Sequence, residues 1–236
     1  MKIEVLYPDI ANLFGEMGHI DFIRNIFPYA QLVKTHITEK PRFLTEKIDL
    51  IYLGPMAEKY QEQIIEKWLP YKAKINEKIE EGNIFLFIGN AMEVLFEYIE
   101  KDNGEKINGL GIFSYYAKRQ MMSRINSLYH GKYKNDIEII GFKTQFTYAH
   151  PIKANVPYLF ETIRGLGMDK ETKNEGIHYK NFYGTYLIGP LLIMNPDFTI
   201  DFMKNFVENP KLEYYKEMKE AFNIRLEEFK DSKTTL

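Results

Sequence analysis

"GNIFLFIGNAMEVLFEYIEK" (residues 82–101) holds the strongest strand signal in the chain and joins it to an amphipathic stretch across one glycine. Residues 84–88 are apolar without interruption, as expected of a strand covered on both faces. Residues 91–101 carry apolar side chains at helical spacing and read as a helix that starts directly after the Gly89 junction. A strand running straight into a helix is the repeating unit of a parallel sheet, because the crossover back to the next strand is right-handed and needs a helix to span it.

Working outward, the same alternation recurs. "KIEVLY" (2–7) reads as a strand ended by Pro8, and Asp9 is placed to cap a helix beginning at Ile10. "AQLVKTHI" (30–37) and "KIDLIYLG" (47–54) read as the next two strands. Residues 57–82 predict one or two helices. The second half changes character. "IEIIGFKTQFTYAH" (137–150) and "HYKNFYGTYLIG" (178–189) read as strands of a mixed or antiparallel region. "NPDFTIDFMKNFV" (195–207) predicts a helix capped by Asn195 or Asp197, and residues 212–230 predict a long amphipathic helix with a fraying tail. With no repeat or linker in view, the reading is one three-layer α/β domain over residues 1–236, of which 210–236 form the terminal helix and tail.

Composition narrows the function classes. The net charge is −2, from 31 basic and 33 acidic residues, so no nucleic-acid partner is expected. No run approaches the roughly 20 apolar residues of a membrane span, and the first residues lack the pattern of a signal peptide. A cytoplasmic location is expected, with no membrane partner, no cofactor and no metal. The cysteine count is zero, which excludes disulfides, thiolate zinc sites and any cysteine nucleophile.

In open α/β sheets, ligands bind beyond the carboxyl ends of the strands. Three such ends stand out: "YLGPM" (52–56), "FIGNAM" (87–92) and "TYLIGP" (185–190). The middle one has the layout of a nucleophile elbow, where a Ser or Cys is held up on a strained turn. Here the junction residue is Gly89, which has no side chain to attack with. Taken alone it is also a plain tight strand-to-helix turn. The third end carries Ile188, an inert side chain where polar chemistry is often placed.

Several blocks occur in an order that carries more information than any one of them. They are "LYPDIANLFGEMGHI" (6–20), "IYLGPMAEKYQEQI" (51–64), "FLFIGNAMEVL" (85–95), "GEKINGLGIF" (104–113), "GF" (141–142) and "YGTYLIGPLLIMNP" (183–196). Together they resemble the CobB/CobQ-type class I glutamine amidotransferases, and within these the glutaminase subunits of lipid II isoglutaminyl synthases, which work beside a Mur-ligase-like partner. The resemblance spans nearly the whole chain. It implies a flavodoxin-like, mostly parallel sheet flanked by helices. It also implies a Cys nucleophile on the elbow, a His base, and delivery of ammonia to a synthetase.

This sequence departs from that pattern at the reactive groups. The family's cysteine and two glycines correspond to Gly89, Asn90 and Ala91, and its histidine to Ile188. Thioester formation needs a thiolate and proton transfer needs a titratable group, and neither position supplies one. The family's glycine run after the third strand is "GPM" (54–56) here, where Pro55 has no N–H for an oxyanion. The family's "GFE.H" segment is "GFKTQ" (141–145), with Lys143 in place of the acid. "KRQMMSR" (118–124) reads as a small basic strand or helix on a solvated face.

Three expectations follow. The first is an amidotransferase-fold subunit without glutaminase chemistry, in a bacterial peptidoglycan pathway and partnered by a Mur-ligase-like or other synthetase protein. Its catalytic residues are none, and its ligand pocket is formed by Gly54, Pro55, Gly89, Asn90 and Ile188. The second is an enzyme of different chemistry acting on a small amide or amino-acid-like ligand in the same crevice, using Glu58, His19 or Lys143. The third is a plain binding or interaction module. A glutaminase-type subunit acting with its Mur-ligase-like partner is the family-conforming alternative.

Overall fold

The computed structural model describes residues 1–134, 136–154 and 156–235. Its first half builds strands β1 (Lys2–Leu6), β2 (Gln31–Thr35), β3 (Leu50–Leu53) and β4 (Ile84–Ile88), with helices α1 (Gly18–Ile26), α2 (Glu58–Trp68) and α3 (Lys72–Glu80) between them. The second half adds β5 (Phe96–Glu100), β6 (Lys106–Asn108), β7 (Phe113–Arg119), β8 (Ile125–Tyr133), β9 (Ile137–Gln145), β10 (Thr147–Pro151), β11 (Phe160–Arg164), β12 (Asn174–Glu175), β13 (Ile177–Tyr179) and β14 (Phe182–Thr185). Helices α4 (Leu191–Met194), α5 (Pro196–Met203) and α6 (Tyr215–Lys230) close the chain.

The central sheet has the order β13-β14-β4-β3-β1-β2. All its neighbours are parallel except the β13–β14 hairpin. This is the doubly wound, flavodoxin-like order, which leaves a crevice at the carboxyl edge. Side-chain alternation divides the core into two layers. Leu6, Ile51, Leu53, Phe85 and Phe87 pack against Ile64, Trp68 and Ile75 of α2 and α3, together with Phe96 and Tyr115. Their neighbours Val5, Leu50, Tyr52, Leu86 and Ile88 pack against Ile20, Leu191, Phe198 and Phe202 of α1, α4 and α5, together with Tyr129 and Ile139. Two further four-stranded sheets, β10-β7-β5-β6 and β12-β11-β8-β9, complete these two layers. The mixed second half is therefore as expected.

Four local expectations are corrected. No helix begins at Ile10. Tyr7 takes a left-handed conformation (φ 55°), so the next residues turn back on its carbonyl, and Asp9 lies 3.6 Å from His36 instead of capping. The expected helix over 91–101 is a short 3-10 segment, Gly89–Leu95, followed by strand β5. Phe96-Glu-Tyr-Ile-Glu alternates, and the carbonyls of Val94, Leu95, Phe96 and Glu97 accept the N–H groups of Leu110, Ile112, Gly111 and Gly109. "KRQMMSR" is the end of β7 and a turn leading into β8. Asn195 precedes α5 but makes no side-chain cap; its amide bonds both the N–H and the C=O of Ile140 in β9.

Candidate functional site

The junction after β4 has the backbone of an elbow, with Gly89 at φ +65°. That conformation alone favours glycine. A second restriction comes from β3. A Cβ at Gly89 would lie 2.7 Å from the Pro55 Cβ, closer than real carbon atoms approach. Pro55 thus fills the space into which a nucleophile would project. Asn90 binds the same two segments together: its Oδ1 accepts from the Met56 N–H at 3.0 Å and its Nδ2 donates to the Met56 carbonyl at 2.8 Å. The backbone donor that follows Pro55 is therefore spent within the protein, and Pro55 itself has none.

Ile188 is buried, with 7% of its surface exposed. Its segment is held from two sides. Ile188 and Phe142 exchange backbone hydrogen bonds at 2.9 and 3.4 Å, and the Gly189 N–H donates to Glu16 Oε1 at 2.7 Å. The isoleucine is thus a packed wall residue facing the elbow, fixed by backbone bonds that do not depend on its side chain.

These segments enclose a cavity of about 230 Å³ at the carboxyl ends of β3, β4 and β14. Pro55, Gly89, Asn90 and Ile188 line it; Gly54 does not, because it packs beneath the Ala11 carbonyl, 2.4 Å from where a Cβ would be. Leu13, Phe14, Met56 and Phe146 supply apolar wall. Phe14 is half exposed and left-handed (φ 61°), a strained aromatic at the site. Glu58, Arg124 and Gln145 supply polar groups.

Behind the wall lies a buried polar network. Glu93 is fully buried and accepts from Gln61 Nε2 (2.8 Å), Thr147 Oγ1 (2.6 Å) and Tyr186 Oη (2.8 Å). Burial holds its carboxyl above the usual range, against these hydrogen bonds and the Arg119 charge, which pull it down. Gln61 also donates to the Asn90 carbonyl at 2.6 Å and accepts from Arg119 at 2.8 Å. Because Thr147 and Tyr186 line the cavity as well, this network fixes the wall from behind.

The other candidates lie off the cavity. His19 is buried against Glu16, its Nδ1 3.1 Å from both the carbonyl and Oε2, and the hydrogen-bond geometry favours the carbonyl. Lys143 is buried in an ion pair with Glu175 and donates to the Gly167 carbonyl at 2.7 Å; burial pushes its ammonium below the usual range. Of the three residues expected for alternative chemistry, only Glu58 reaches the cavity. Ser114 Oγ is buried without a partner, and none of the cavity-lining residues is a histidine. Among the described residues no three His, Asp or Glu side chains converge as a metal would require. No helix among them is long and apolar enough to cross a membrane.

Sequence reading did not place Arg124, Gln145 or the Glu93 network at the site. Glu93 carried a signal: it is a lone acid inside the apolar run Ala91–Phe96, where a carboxylate must find donors. Arg124 belongs to the basic segment 118–124, whose sequence reads as a solvated face; it reaches the cavity from the turn between β7 and β8.

Comparison with known proteins agrees with this architecture. Lipid II isoglutaminyl synthase (glutamine-hydrolyzing) subunit GatD of Streptococcus pneumoniae is 26% identical over 202 residues, 83% of this chain and 76% of that one. The subunit of the same name from Staphylococcus aureus is 28% identical over 205 residues, 81% of this chain and 78% of that one. Among solved structures, PurLQS of Thermotoga maritima superposes with a TM-score of 0.53 at 11% identity, over 95% of this chain and 98% of that one. A glutamine amidotransferase of the same organism gives 0.53 at 13% identity, over 97% and 93%. The match to the CobB/CobQ-like glutamine amidotransferase domain runs over residues 2–195, and the chain belongs to that family.

Proposed function

We propose that this protein is a GatD-type amidotransferase subunit that acts in the cytoplasm beside a Mur-ligase-like synthetase in peptidoglycan-precursor amidation, as one binding or regulatory domain and without hydrolysing glutamine itself. The relatives support the subunit type. The observation that carries the non-hydrolytic reading is the elbow: Gly89 has no side chain, Pro55 occupies the place of one, and the chain contains no cysteine. Ile188 opposite supplies no proton acceptor. The retained elbow backbone, the Asn90 staple and the Glu93 network support a site kept for binding.

The test is a reconstituted amidation with a Mur-ligase-like synthetase from the same organism. Ammonium should serve as nitrogen donor and glutamine should not, while the complex forms with normal stoichiometry. Glutamine-dependent amidation by the pair would overturn the reading.

A further inference from the structure

The cavity contains a charge pattern that the protein does not use. Arg124, an exposed side chain at the cavity mouth, has its guanidinium carbon 4.8 Å from the Phe146 ring centroid, a cation–π contact that spends none of its N–H donors. Among the described residues it has no carboxylate partner and no hydrogen bond. Glu58, on the same cavity at the start of α2, likewise has no cationic partner among them. Gln145, 8% exposed, donates through Nε2 to the Thr147 carbonyl at 2.6 Å, but its Oε1 has no partner at all. Five other buried polar atoms among the described residues also lack partners (Glu16 Oε2, His19 Nε2, Ser114 Oγ, Arg119 Nε and Tyr133 Oη), but none of these residues lines this cavity. One unspent cation, one unspent anion and one orphan acceptor on a single apolar-walled cavity therefore point to a ligand.

We infer that the cavity is a receptor for a free α-amino acid with an apolar side chain, its carboxylate held by Arg124, its ammonium by Glu58 and Gln145, and its side chain by Met56, Phe146 and Ile188. This rests on the non-hydrolytic reading of the same site. The volume, about 230 Å³, lies below the range of drug-sized pockets and suits one amino acid. Discrimination against glutamine comes from the wall. A carboxamide against Pro55 and Ile188 meets no donor from Met56, whose N–H is bound to Asn90, so it loses its hydrogen bonds to water without replacement.

Calorimetry on the full chain tests this with L-leucine, L-glutamine, 4-methylpentanoate (leucine without its ammonium) and 3-methylbutylamine (leucine without its carboxylate). Leucine should bind most tightly, and each of the other three about tenfold or more weaker. Arg124→Gln should remove leucine's advantage over the amine, and Glu58→Gln its advantage over the acid. Both side chains lie at the cavity surface and both variants should melt like wild type. No binding of leucine at about 10 mM would overturn the inference, as would glutamine binding more tightly than leucine. Ammonia release from glutamine, assayed on the same samples, reports separately on the non-hydrolytic reading.

Discussion

Gly89→Ala isolates the contact on which the site is built. The new Cβ meets two obstacles. A non-glycine residue at φ +65° costs about 1–2 kcal/mol. The overlap with Pro55 Cβ at 2.7 Å forces a shift in a packed region, about 1–3 kcal/mol more. Against these, alanine restricts the unfolded chain and returns roughly 0.4–1 kcal/mol. The net expectation is a loss of about 1–4.5 kcal/mol, measured by urea denaturation with the m-value checked for change. Pro55→Gly separates the two terms, since it removes the opposing Cβ and leaves the backbone of Gly89 alone. The double-mutant cycle should then show a favourable coupling of about 1–3 kcal/mol. A Gly89→Ala variant within about 0.5 kcal/mol of wild type, or a cycle without coupling, would refute the reasoning. The same contact predicts that Gly89→Cys with Ile188→His gives no glutaminase while Pro55 stays in place.

Asn90→Ala removes both bonds to the Met56 backbone and should lower stability by about 2–3 kcal/mol while loosening the cavity, visible as faster amide exchange at Met56. Burial lowers the His178 pKa from 6.5 to about 4, so the folded state binds fewer protons than the unfolded state between those values. Stability should therefore fall as pH drops through that window, and His178→Gln should lack this component of the pH profile. Arg164 donates to the carbonyls of Phe229, Asp231 and Thr234, the last two at 2.6 and 2.5 Å. Arg164→Ala should release residues 231–235 to limited proteolysis at least tenfold faster, with the rest of the chain uncut.

Strands β3 and β4 were legible because each is a short, continuous apolar run between turn residues, a pattern that depends on burial alone, and β2 because it alternates. Strand β5 was not, because Leu95 and Phe96 fit helical spacing as well as alternation, and only pairing with β6 and β7 decides between them. The elbow and the Ile188 segment were legible as positions, since both are local. What occupies them was not. The Pro55–Gly89 contact joins residues 34 apart through space, and a sequence shows no distances. Asn90 was placed at the pocket, but nothing local says that its amide faces Met56. Arg124 arrives from the turn between β7 and β8, and Gln145 from the end of β9 in another sheet. The left-handed Tyr7 and Phe14 redirect the chain where Asp9 suggested a cap, and neither residue type announces that conformation.

The proposed loss of glutamine hydrolysis has a direct test. Purified protein, alone and with an excess of the proposed Mur-ligase-like synthetase, is incubated with amide-labelled L-glutamine, and labelled ammonia is followed by NMR. Release should match the rate in buffer alone in both cases. Labelled ammonia formed in proportion to the concentration of this protein would contradict it.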